Sequence, residues 1–553
     1  MPNNDVELIW DYHDATKHSV QSVRSNRHRL DWANQPLPFK IYSDLEPLPL
    51  PRDWPASNVD ALTAVSSSVS HESLISVPDL KTLASILFHS AGITRRRTYP
   101  GGEIYFRSAA CTGALYEIEL YVVCGPLPDL EAGVYHFNPA DFSLRRLRSG
   151  DWRGLLARAT ANEPSIVEAP VTMVCTGTYW RNAWKYQART YRHFFWDNGT
   201  MLANLFATAA ALRVPAKLVM GFVDNEVNQL LGLETQREVV ISLVPLGKES
   251  GLAAEVSEPL SALKYRVAPY SKSEVDYPLM RQAHEASSLP SPEEVKEWRA
   301  LSPIFLLSAA AGPLDEALEM EEALEAWEAE GGTARSTPIV AKREKKSSIN
   351  QVIELKAPPK TDSPRESIEQ VIVRRGSSRQ FARLPIQFEQ LSTILLRATQ
   401  GIPADFLEPF GTRLNDLYLI VNAVAGLPSG AYFLRRDRAC LELLKVGSFR
   451  REAGHLGLDQ DLPADASIAI FFLADLKKTL EVFGNRGYRA AQIEAGIIGG
   501  KIYLGAYAQG LGATGLTFYD DEVTEFFSPH AKGKCAIFLT AVGLRAKSQL
   551  RVL

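Results

Sequence analysis

The sequence predicts an α+β protein in which one domain occurs twice. Two stretches of the 553-residue chain share the order long helix, glycine turn, apolar segment: residues 189–227 and 486–527. Tyr191 matches Tyr488 at an offset of 297 residues, and Asp224 matches Asp520 at an offset of 296. So little drift in the offset is typical of an internal duplication.

Each copy is organised around one long helix. In the second copy, apolar and small residues recur at helical spacing from Ile497 to Tyr507. Because glycine and alanine are frequent there, we expect neighbours to pack closely against every side of this helix. Three glycines end it: Gly510, Gly512 and Gly515.

Other apolar patterns predict mixed helices and strands in each copy. In the first copy they predict a helix near Asp79–Ser90 and strands near Ile118–Cys124 and Gly133–Asn138. In the second copy they predict a helix over Phe388–Thr399 which, like its counterpart, ends at a Gly-Ile pair. Helices and strands mixed around a buried helix indicate an α+β domain.

The composition divides the chain into four predicted segments: an arm (1–60), a first domain (61–250), an insert with a linker (251–366) and a second domain (367–553). The proline-rich arm is expected to extend over a neighbouring surface, with a disordered tail as the alternative. Within the insert, Glu293–Glu330 contains a predicted acidic, alanine-rich helical stretch, EALEMEEALEAWEAE, and the Lys/Ser/Pro-rich tract 333–366 is predicted to be a mobile linker.

Composition excludes several classes of function. A net charge of -4 argues against a general binder of nucleic acid or anionic membranes. The five cysteines form no CxxC pair, and the ten histidines show no ligand spacing, so we expect a cytoplasmic protein without a metal site. The first residues lack a signal pattern, and the longest apolar runs have the length of strands, too short to span a bilayer.

A basic cluster stands at the head of the second copy, in the sequence RRGSSRQF. Three arginines and two hydroxyls can bind a phosphate through charge-assisted hydrogen bonds: Arg374, Arg375, Ser377, Ser378 and Arg379. The alternative is a solvated basic turn. The first copy reads VSSSVS at the matching positions 65–70 and has no arginine there, so the cluster belongs to one copy only.

These motifs resemble the FMN-dependent nitroreductase superfamily, through RRGSSRQF, the glycine-bounded helix and GLG…YDDEV. The tandem arrangement and five further stretches resemble SagB-type dehydrogenases, relatives of the flavoenzymes that oxidise azolines to azoles in ribosomal peptide natural products. Those stretches are YHDATKHS (12–19), HRLDWANQP (28–36), FKIYSDLEPLPLP (39–51), TGALYEIELYVV (112–123) and KYQARTYR (185–192). The resemblance implies a duplicated nitroreductase-like fold that forms a pseudo-dimer within one chain, so that the chain is expected to function as a monomer.

In that superfamily each FMN site combines an arginine cluster from one subunit with a loop from its partner. The resemblance therefore implies that the second copy's arginines join the first copy's loop ACTGALYE (110–117), giving one working FMN site. The other pairing would join 65–70 to EPFGTRLND (408–416), and both parts lack the family pattern. The implied FMN contacts are Arg374, Arg375, Ser377, Arg379, Cys111, Thr112, Gly113, Ala114, Leu115, Gly512, Ala513, Gly515 and Arg545.

Lys185-Tyr186 resembles the Lys-Tyr pair that azoline oxidases use in catalysis, and the second copy has Val482-Phe483 instead. The resemblance implies that Lys185 or Tyr186 removes a proton from a peptide-derived or small heterocyclic substrate while FMN takes a hydride and oxygen reoxidises the flavin. A surface lysine beside a packed tyrosine is the structural alternative. Two other functions stay open: an NAD(P)H-dependent nitroreductase or quinone reductase, and a non-catalytic binding protein helped by the acidic stretch 313–330.

Three further patterns are interpreted as structural. The GxGxxG formed by Gly510, Gly512 and Gly515 follows a helix rather than a strand, so we interpret it as a helix stop whose backbone approaches the flavin. Asp520-Asp521-Glu522 is interpreted as a helix N-cap rather than a metal site. Cys111 is interpreted as a small packing residue in the flavin loop.

Overall fold

The computed structural model describes most of both copies and of the arm. The residues described are 2–54, 56–66, 76–99, 102–249, 260–302, 305, 351–356, 366–408 and 413–546. The acidic stretch 313–330, most of the predicted linker 333–366 and most of 65–70 lie outside these ranges, as do 409–412 in the second copy's loop. The described part of the linker is not mobile throughout as predicted, because Val352–Glu354 forms a strand paired with Cys440–Glu442.

The strands form one large antiparallel sheet in each copy. Those of the arm and first copy are β1 (Pro47–Pro49), β2 (Ile93–Tyr99), β3 (Gly102–Arg107), β4 (Ile118–Cys124), β5 (Gly133–Asn138), β6 (Ser143–Ser149), β7 (Val171–Thr178) and β8 (Glu238–Leu246). The following strands are β9 (Val352–Glu354), β10 (Ile386–Gln387), β11 (Asn415–Val421), β12 (Val424–Ala425), β13 (Gly430–Arg435), β14 (Cys440–Val446), β15 (Ile468–Ala474), β16 (Gly512–Leu516) and β17 (Cys535–Gly543). The sheet orders are β1-β6-β5-β4-β7-β8 and β16-β17-β15-β11-β13-β14-β9.

The helices repeat in the same order in both copies. Those up to residue 249 are α1 (Val6–Ala15), α2 (Val20–Ser25), α3 (Ala61–Ser66), α4 (Leu80–Ala91), α5 (Arg153–Ala159), α6 (Pro164–Val167), α7 (Tyr179–Tyr186), α8 (Thr190–Ala211) and α9 (Asp224–Leu231). The later described helices are α10 (Pro278–Ala286), α11 (Pro292–Arg299), α12 (Ile368–Arg374), α13 (Phe388–Ala398), α14 (Arg450–Leu456), α15 (Asp461–Asp465), α16 (Leu476–Phe483), α17 (Arg486–Ala508) and α18 (Asp520–Phe527). The predicted α+β class, the duplication and the predicted strands at 118–124 and 133–138 are confirmed.

The two central helices, α8 and α17, pack directly against each other at the interface between the copies. A Cβ atom added to Gly199 would lie 2.6 Å from the backbone carbon of Gly496, and one added to Gly500 would lie 2.6 Å from the Cβ of Ala203. Only glycine allows the two backbones to approach so closely. The small residues that the sequence places along α17 therefore belong to a helix-helix contact, and the copies form a pseudo-dimer within the chain.

Two buried ion-pair clusters join the copies reciprocally. Arg192 of α8 donates to Asp520 of α18 at 2.6 Å, and Arg489 of α17 donates to Asp224 of α9 at 2.7 Å. Arg189 and Arg486 make a second bond to the same two carboxylates: Arg189–Asp520 at 3.0 Å and Arg486–Asp224 at 2.5 Å. The matching offsets of the sequence therefore mark residues that bind the opposite copy.

The N-cap interpretation of Asp520 is wrong. The helix begins at Asp520 itself, and its N-cap residue Tyr519 makes no side-chain cap bond. The carboxylate instead accepts from Arg189 and Arg192 and from the backbone N–H of His18 at 2.8 Å. Three charge-assisted or backbone bonds to one buried carboxylate outweigh a local cap, since the arginines would otherwise be buried without a counter-charge.

The arm packs against both copies, and a second segment makes the same contacts on the other side. His13 O accepts from Arg192 at 2.6 Å, and His284 O accepts from Arg489 at 2.6 Å. His13 lies on α1 of the arm and His284 lies on α10, within the segment 251–366. The edge strands β1 and β9 likewise occupy matching positions at the ends of the two sheets. Part of the segment 251–366 thus contacts the second copy as the arm contacts the first.

We expect these ion pairs to make stability depend on acid pH. Burial alone would raise the pKa of each carboxyl, but the paired arginines lower the pKa of Asp224 and of Asp520 to about 2, from an ordinary value of 3.8. A lowered folded-state pKa contributes stability that is complete above about pH 4 and is lost as pH falls towards 2. The urea midpoint should therefore drop between pH 4 and pH 2. A profile that stays flat across this window would contradict the expectation.

Candidate functional site

The arginine cluster reaches from the second copy to the first. Arg375 follows the end of α12. Its Nε donates to Ser108 O at 3.0 Å and its Nη2 donates to Arg107 O at 3.1 Å. Both carbonyls stand just before the loop 110–117, so one side chain joins the two parts that the sequence predicted to form a composite site.

Two further arginines surround Tyr507 at the end of α17. Arg374 donates to Tyr507 O at 2.8 Å and also pairs with Glu366, while the Arg545 guanidinium lies 5.3 Å from the Tyr507 ring centre. Arg374 already has an acidic partner. Arg545 and Arg379 are exposed, and neither forms an ion pair or side-chain hydrogen bond with any described residue. The structure thus leaves Arg545 and Arg379 as the cations best placed to meet an anion.

Strand β16 and the hydroxyls beside it form a tight cradle. Ser378 N donates to Ala513 O at 2.9 Å, and Ser378 Oγ is buried without a hydrogen-bond partner among the described residues. A Cβ atom at Gly512 would lie 2.2 Å from that Oγ and 2.5 Å from Cγ of Arg545. An orphaned hydroxyl beside free cations suits a phosphate group, since a phosphate oxygen would accept from it.

A tyrosine connects this cradle to the far end of β16. Ser377 Oγ lies 3.2 Å from Tyr503 Oη, and Gly515 N donates to the same Oη at 2.5 Å. The predicted helix stop is confirmed at Gly510, which has φ +75° just after α17, whereas Gly512 and Gly515 lie within β16 and do not end the helix. Tyr503 thereby links Ser377 to Gly515, and the Arg375 guanidinium lies 5.7 Å from the Tyr503 ring centre.

The loop of the first copy is fixed by a buried carboxylate that the sequence analysis missed. Asp197 of α8 accepts from Thr112 N at 2.8 Å and from Thr112 Oγ1 at 2.9 Å. Gly113 and Ala114 follow with φ of +66° and +55°, and Leu115 packs with Trp180 and Trp184. The matching residue of the second copy is Glu494, so an acid at the same place in both copies was the available signal.

Cys111 lies against two carboxyl groups in this loop. Its Sγ is 3.3 Å from Asp197 Oδ2 and 3.4 Å from Glu117 Oε2. Burial and these two acids raise the pKa of the Cys111 thiol, and burial and Glu117 raise the pKa of Asp197. A thiol held neutral is a poor nucleophile, so the interpretation of Cys111 as a packing residue agrees with its surroundings.

Lys185 and Tyr186 end α7 beside the same loop. A Cβ atom at Gly113 would lie 2.8 Å from Tyr186 Oη, and the Tyr186 ring meets His193 edge-on at 4.8 Å. Lys185 is exposed, and partial burial together with Arg379 of the second copy lowers its pKa. The structure therefore brings the Lys-Tyr pair, the loop and one arginine of the cluster together at the interface of the copies.

The mirror-related position is filled by the protein's own groups. Asp405 of the second copy accepts from Met220 N at 2.9 Å and Gly221 N at 2.8 Å, two residues that match the end of β16. Lys501, which matches Asn204, donates to Gln400 O at 2.9 Å and Gly401 O at 2.7 Å. Asp405 and Lys501 thus bind backbone groups at this position, where the first copy has the uncharged Asn204 in place of Lys501.

None of the helices described combines the length and hydropathy that a membrane crossing requires.

Comparisons with known proteins agree with this architecture. The model of the Nitroreductase family matches residues 73–248 and 372–529, more than half of the chain. A nitroreductase-like protein of Anabaena variabilis has a crystal structure that matches at a TM-score of 0.71 and 24% identity, covering 98% of this chain and 99% of that chain. A nitroreductase-like protein of Methanocaldococcus jannaschii is 28% identical over 170 residues, which are 31% of this chain and 81% of that protein.

One further structure is a much weaker match. The E. coli microcin synthetase McbBCD complex, with truncated pro-MccB17 bound, aligns at a TM-score of 0.30 and 16% identity, covering 45% of this chain and 96% of that chain. A likeness of that size transfers no function. The two family matches, in contrast, coincide with the two structural copies. The chain therefore belongs to the nitroreductase family of oxidoreductases, with two copies of the family domain in one polypeptide.

Proposed function

We propose that the chain is an FMN-dependent oxidoreductase of the SagB type, with one composite FMN site. The observation that carries the proposal is the bond of Arg375 to the carbonyls before the loop 110–117, with Lys185 and Arg379 beside it. The substrate class we propose is a peptide-derived or small heterocycle, oxidised from azoline to azole with oxygen as the final acceptor.

The residues fit the parts of FMN. Arg379, Arg545 and Ser378 would hold the phosphate, because the exposed Arg545 and the orphaned hydroxyl of Ser378 flank Gly512 and the exposed Arg379 directly follows Ser378 in the chain. The loop 110–117 and the end of β16 would bracket the ring, where FMN when bound supplies hydride chemistry. The chain's own contribution is binding, orientation and proton transfer.

Lys185 is the group we assign to proton transfer. The lowered pKa of Lys185 increases the fraction of neutral amine at neutral pH, and only the neutral Nζ can accept a proton from a substrate carbon. Burial and Asp197 raise the pKa of Tyr186, so its hydroxyl stays protonated and can donate a hydrogen bond to the substrate. In this proposal Lys185 removes the proton from the substrate, and Tyr186 orients the heteroatom of the substrate.

The deciding experiment is the stoichiometry of FMN. We expect one FMN per chain, measured from flavin absorbance against protein mass after reconstitution, because the mirror-related position is filled by Asp405 and Lys501. Two FMN per chain would contradict the single composite site. A chain that takes up no FMN would contradict the proposed function as a whole.

A matched pair of variants locates the phosphate. Arg379→Ala should weaken FMN binding about tenfold or more, since a charge-assisted hydrogen bond contributes roughly 1.5–3 kcal/mol. The control is Arg397→Ala, in which the arginine lost is one that donates to Ser66 near the mirror-related position. Equal FMN affinity in both variants would place the phosphate elsewhere.

A further inference from the structure

The N-terminal arm delivers one histidine to the end of β16. His18 Nδ1 lies 3.0 Å from Thr517 Oγ1, and Thr517 directly follows β16. The backbone of His18 is clamped at the same time, because its N–H donates to Asp520 Oδ2 at 2.8 Å and its carbonyl accepts from Asp520 N at 3.0 Å. The buried ion-pair cluster therefore fixes the position of the His18 side chain.

The segment 251–366 repeats this clamp against the first copy, but without the histidine. Leu289 N donates to Asp224 Oδ2 at 3.0 Å, and Leu289 O accepts from Asp224 N at 3.3 Å. Leu289 thus stands where His18 stands, and it is buried on the side of the filled position. His13 of the arm and His284 of the segment 251–366, by contrast, match each other, so those two imidazoles belong to the shared framework. His18, like Lys185 and Tyr186, is thus a polar residue on the side of the composite site whose mirror-related position carries an apolar residue.

His18 also lies close to the other parts of the composite site. Asp520, which accepts from the His18 N–H, also accepts from Arg189, whose guanidinium lies 5.7 Å from the Trp196 ring centre. Trp196 lies 5.0 Å from the ring of His193, which contacts Tyr186 edge-on. Burial and Arg189 lower the pKa of His18 itself to about 3, so its imidazole is neutral at neutral pH and bonds Thr517 without adding charge. No described residue bonds its second ring nitrogen.

We propose that His18 is a positioning residue of the composite site, which acts by fixing the Thr517 hydroxyl at the end of β16. The arm is then part of the site and not only a wrapping segment. This inference rests on the proposed function, since it takes the end of β16 to border the cofactor and the substrate.

The test compares three substitutions in the FMN-loaded chain. His18→Leu places the mirror residue at the active side and removes the bond to Thr517. His18→Asn keeps it, because the asparagine amide lies where Nδ1 lies, and Leu289→His is the control on the filled side. We expect His18→Leu to lower kcat with a thiazoline-bearing peptide by up to about 10²-fold through misplacement, and His18→Asn to restore most of the rate. Leu289→His should leave the rate unchanged.

A double-mutant cycle separates positioning from a general loss of packing. If His18 acts through Thr517, Thr517→Val should lower kcat by a similar factor, and the double variant should be no slower than either single variant. Multiplied losses in the double variant, or a wild-type kcat and KM in His18→Leu, would overturn the proposal. Thr517→Val retains the imidazole, so it carries the test should His18→Leu fail to fold.

The visible spectrum of the bound flavin gives a readout that needs no substrate. We expect His18→Leu to shift the flavin band and His18→Asn to leave it at the wild-type position. An unshifted band together with unchanged kinetics counts against His18 alone. A wild-type chain without FMN counts against the proposed function, so the two failures are distinguishable.

Discussion

A Lys185→Ala variant is expected to lose turnover of an azoline substrate by about 10²–10⁴-fold while it keeps its FMN. The loss follows from the removal of the only group at the site whose lowered pKa favours a neutral amine among the described residues. FMN should remain because the proposed phosphate contacts come from Arg379, Arg545 and Ser378. Steady-state rates and the flavin-to-protein ratio of the same preparation measure both outcomes.

Two controls sharpen this expectation. Lys185→Arg keeps a cation but not a base, because a guanidinium does not deprotonate near neutral pH, so it should be as slow as Lys185→Ala. Val482→Ala alters the matching position of the second copy and should leave the rate unchanged. A normal rate in Lys185→Ala would refute the assigned role. Reduction by NAD(P)H needs no base, so normal NAD(P)H turnover with a nitroaromatic would favour the reductase alternative.

Replacing Asp520 by alanine is expected to destabilise the chain by about 3–5 kcal/mol, since it leaves Arg189 and Arg192 buried without a counter-charge. The mirror variant Asp224→Ala should lower the free energy of unfolding by a similar amount, since it leaves Arg486 and Arg489 buried without a counter-charge. Urea denaturation at neutral pH measures the difference in free energy of unfolding. Asp521→Ala, which removes an exposed carboxylate, should cost at most about 1 kcal/mol.

Asp520→Ala and Asp224→Ala should differ in activity although they lose a similar amount of stability. Asp520 also clamps His18, whereas Asp224 clamps Leu289 on the filled side. At a temperature where both remain folded, Asp520→Ala should be slower than Asp224→Ala with the same substrate. Equal rates would indicate that the clamp serves stability alone.

The sequence predicted those features that depend on local pattern. The bounds of β4 and β5, the long helix α17 and the glycine stop before β16 follow from periodicity and from glycine's backbone freedom. These features need no knowledge of which residues meet across the interface. The contact of the arginine cluster with the residues before the loop 110–117 was expected only from the family resemblance, and Arg375 makes it through Arg107 O and Ser108 O.

Contacts that depend on tertiary packing could not be predicted from the local sequence pattern. Asp520 looked like a local cap, because nothing in its own helix shows that Arg189 and Arg192 approach from the other copy. The match between His18 and Leu289 could not be seen from the main repeat, because its offset is 271 residues whereas the offset of the central helices is 297 residues. An alignment that allowed separate offsets for separate segments would have found it.

Because the two copies are fused in one chain, a substitution changes one half of the molecule and not the other. In a homodimer one codon specifies a residue in both sites, so a change that suits one site is imposed on the other. Here each half has its own codons, and Val482, Leu289, Asp405 and Lys501 stand on one side without altering Lys185 or His18 on the other. Selection can therefore act separately on the side that holds Lys185 and His18 and on its mirror side, within a molecule that folds around one two-fold interface.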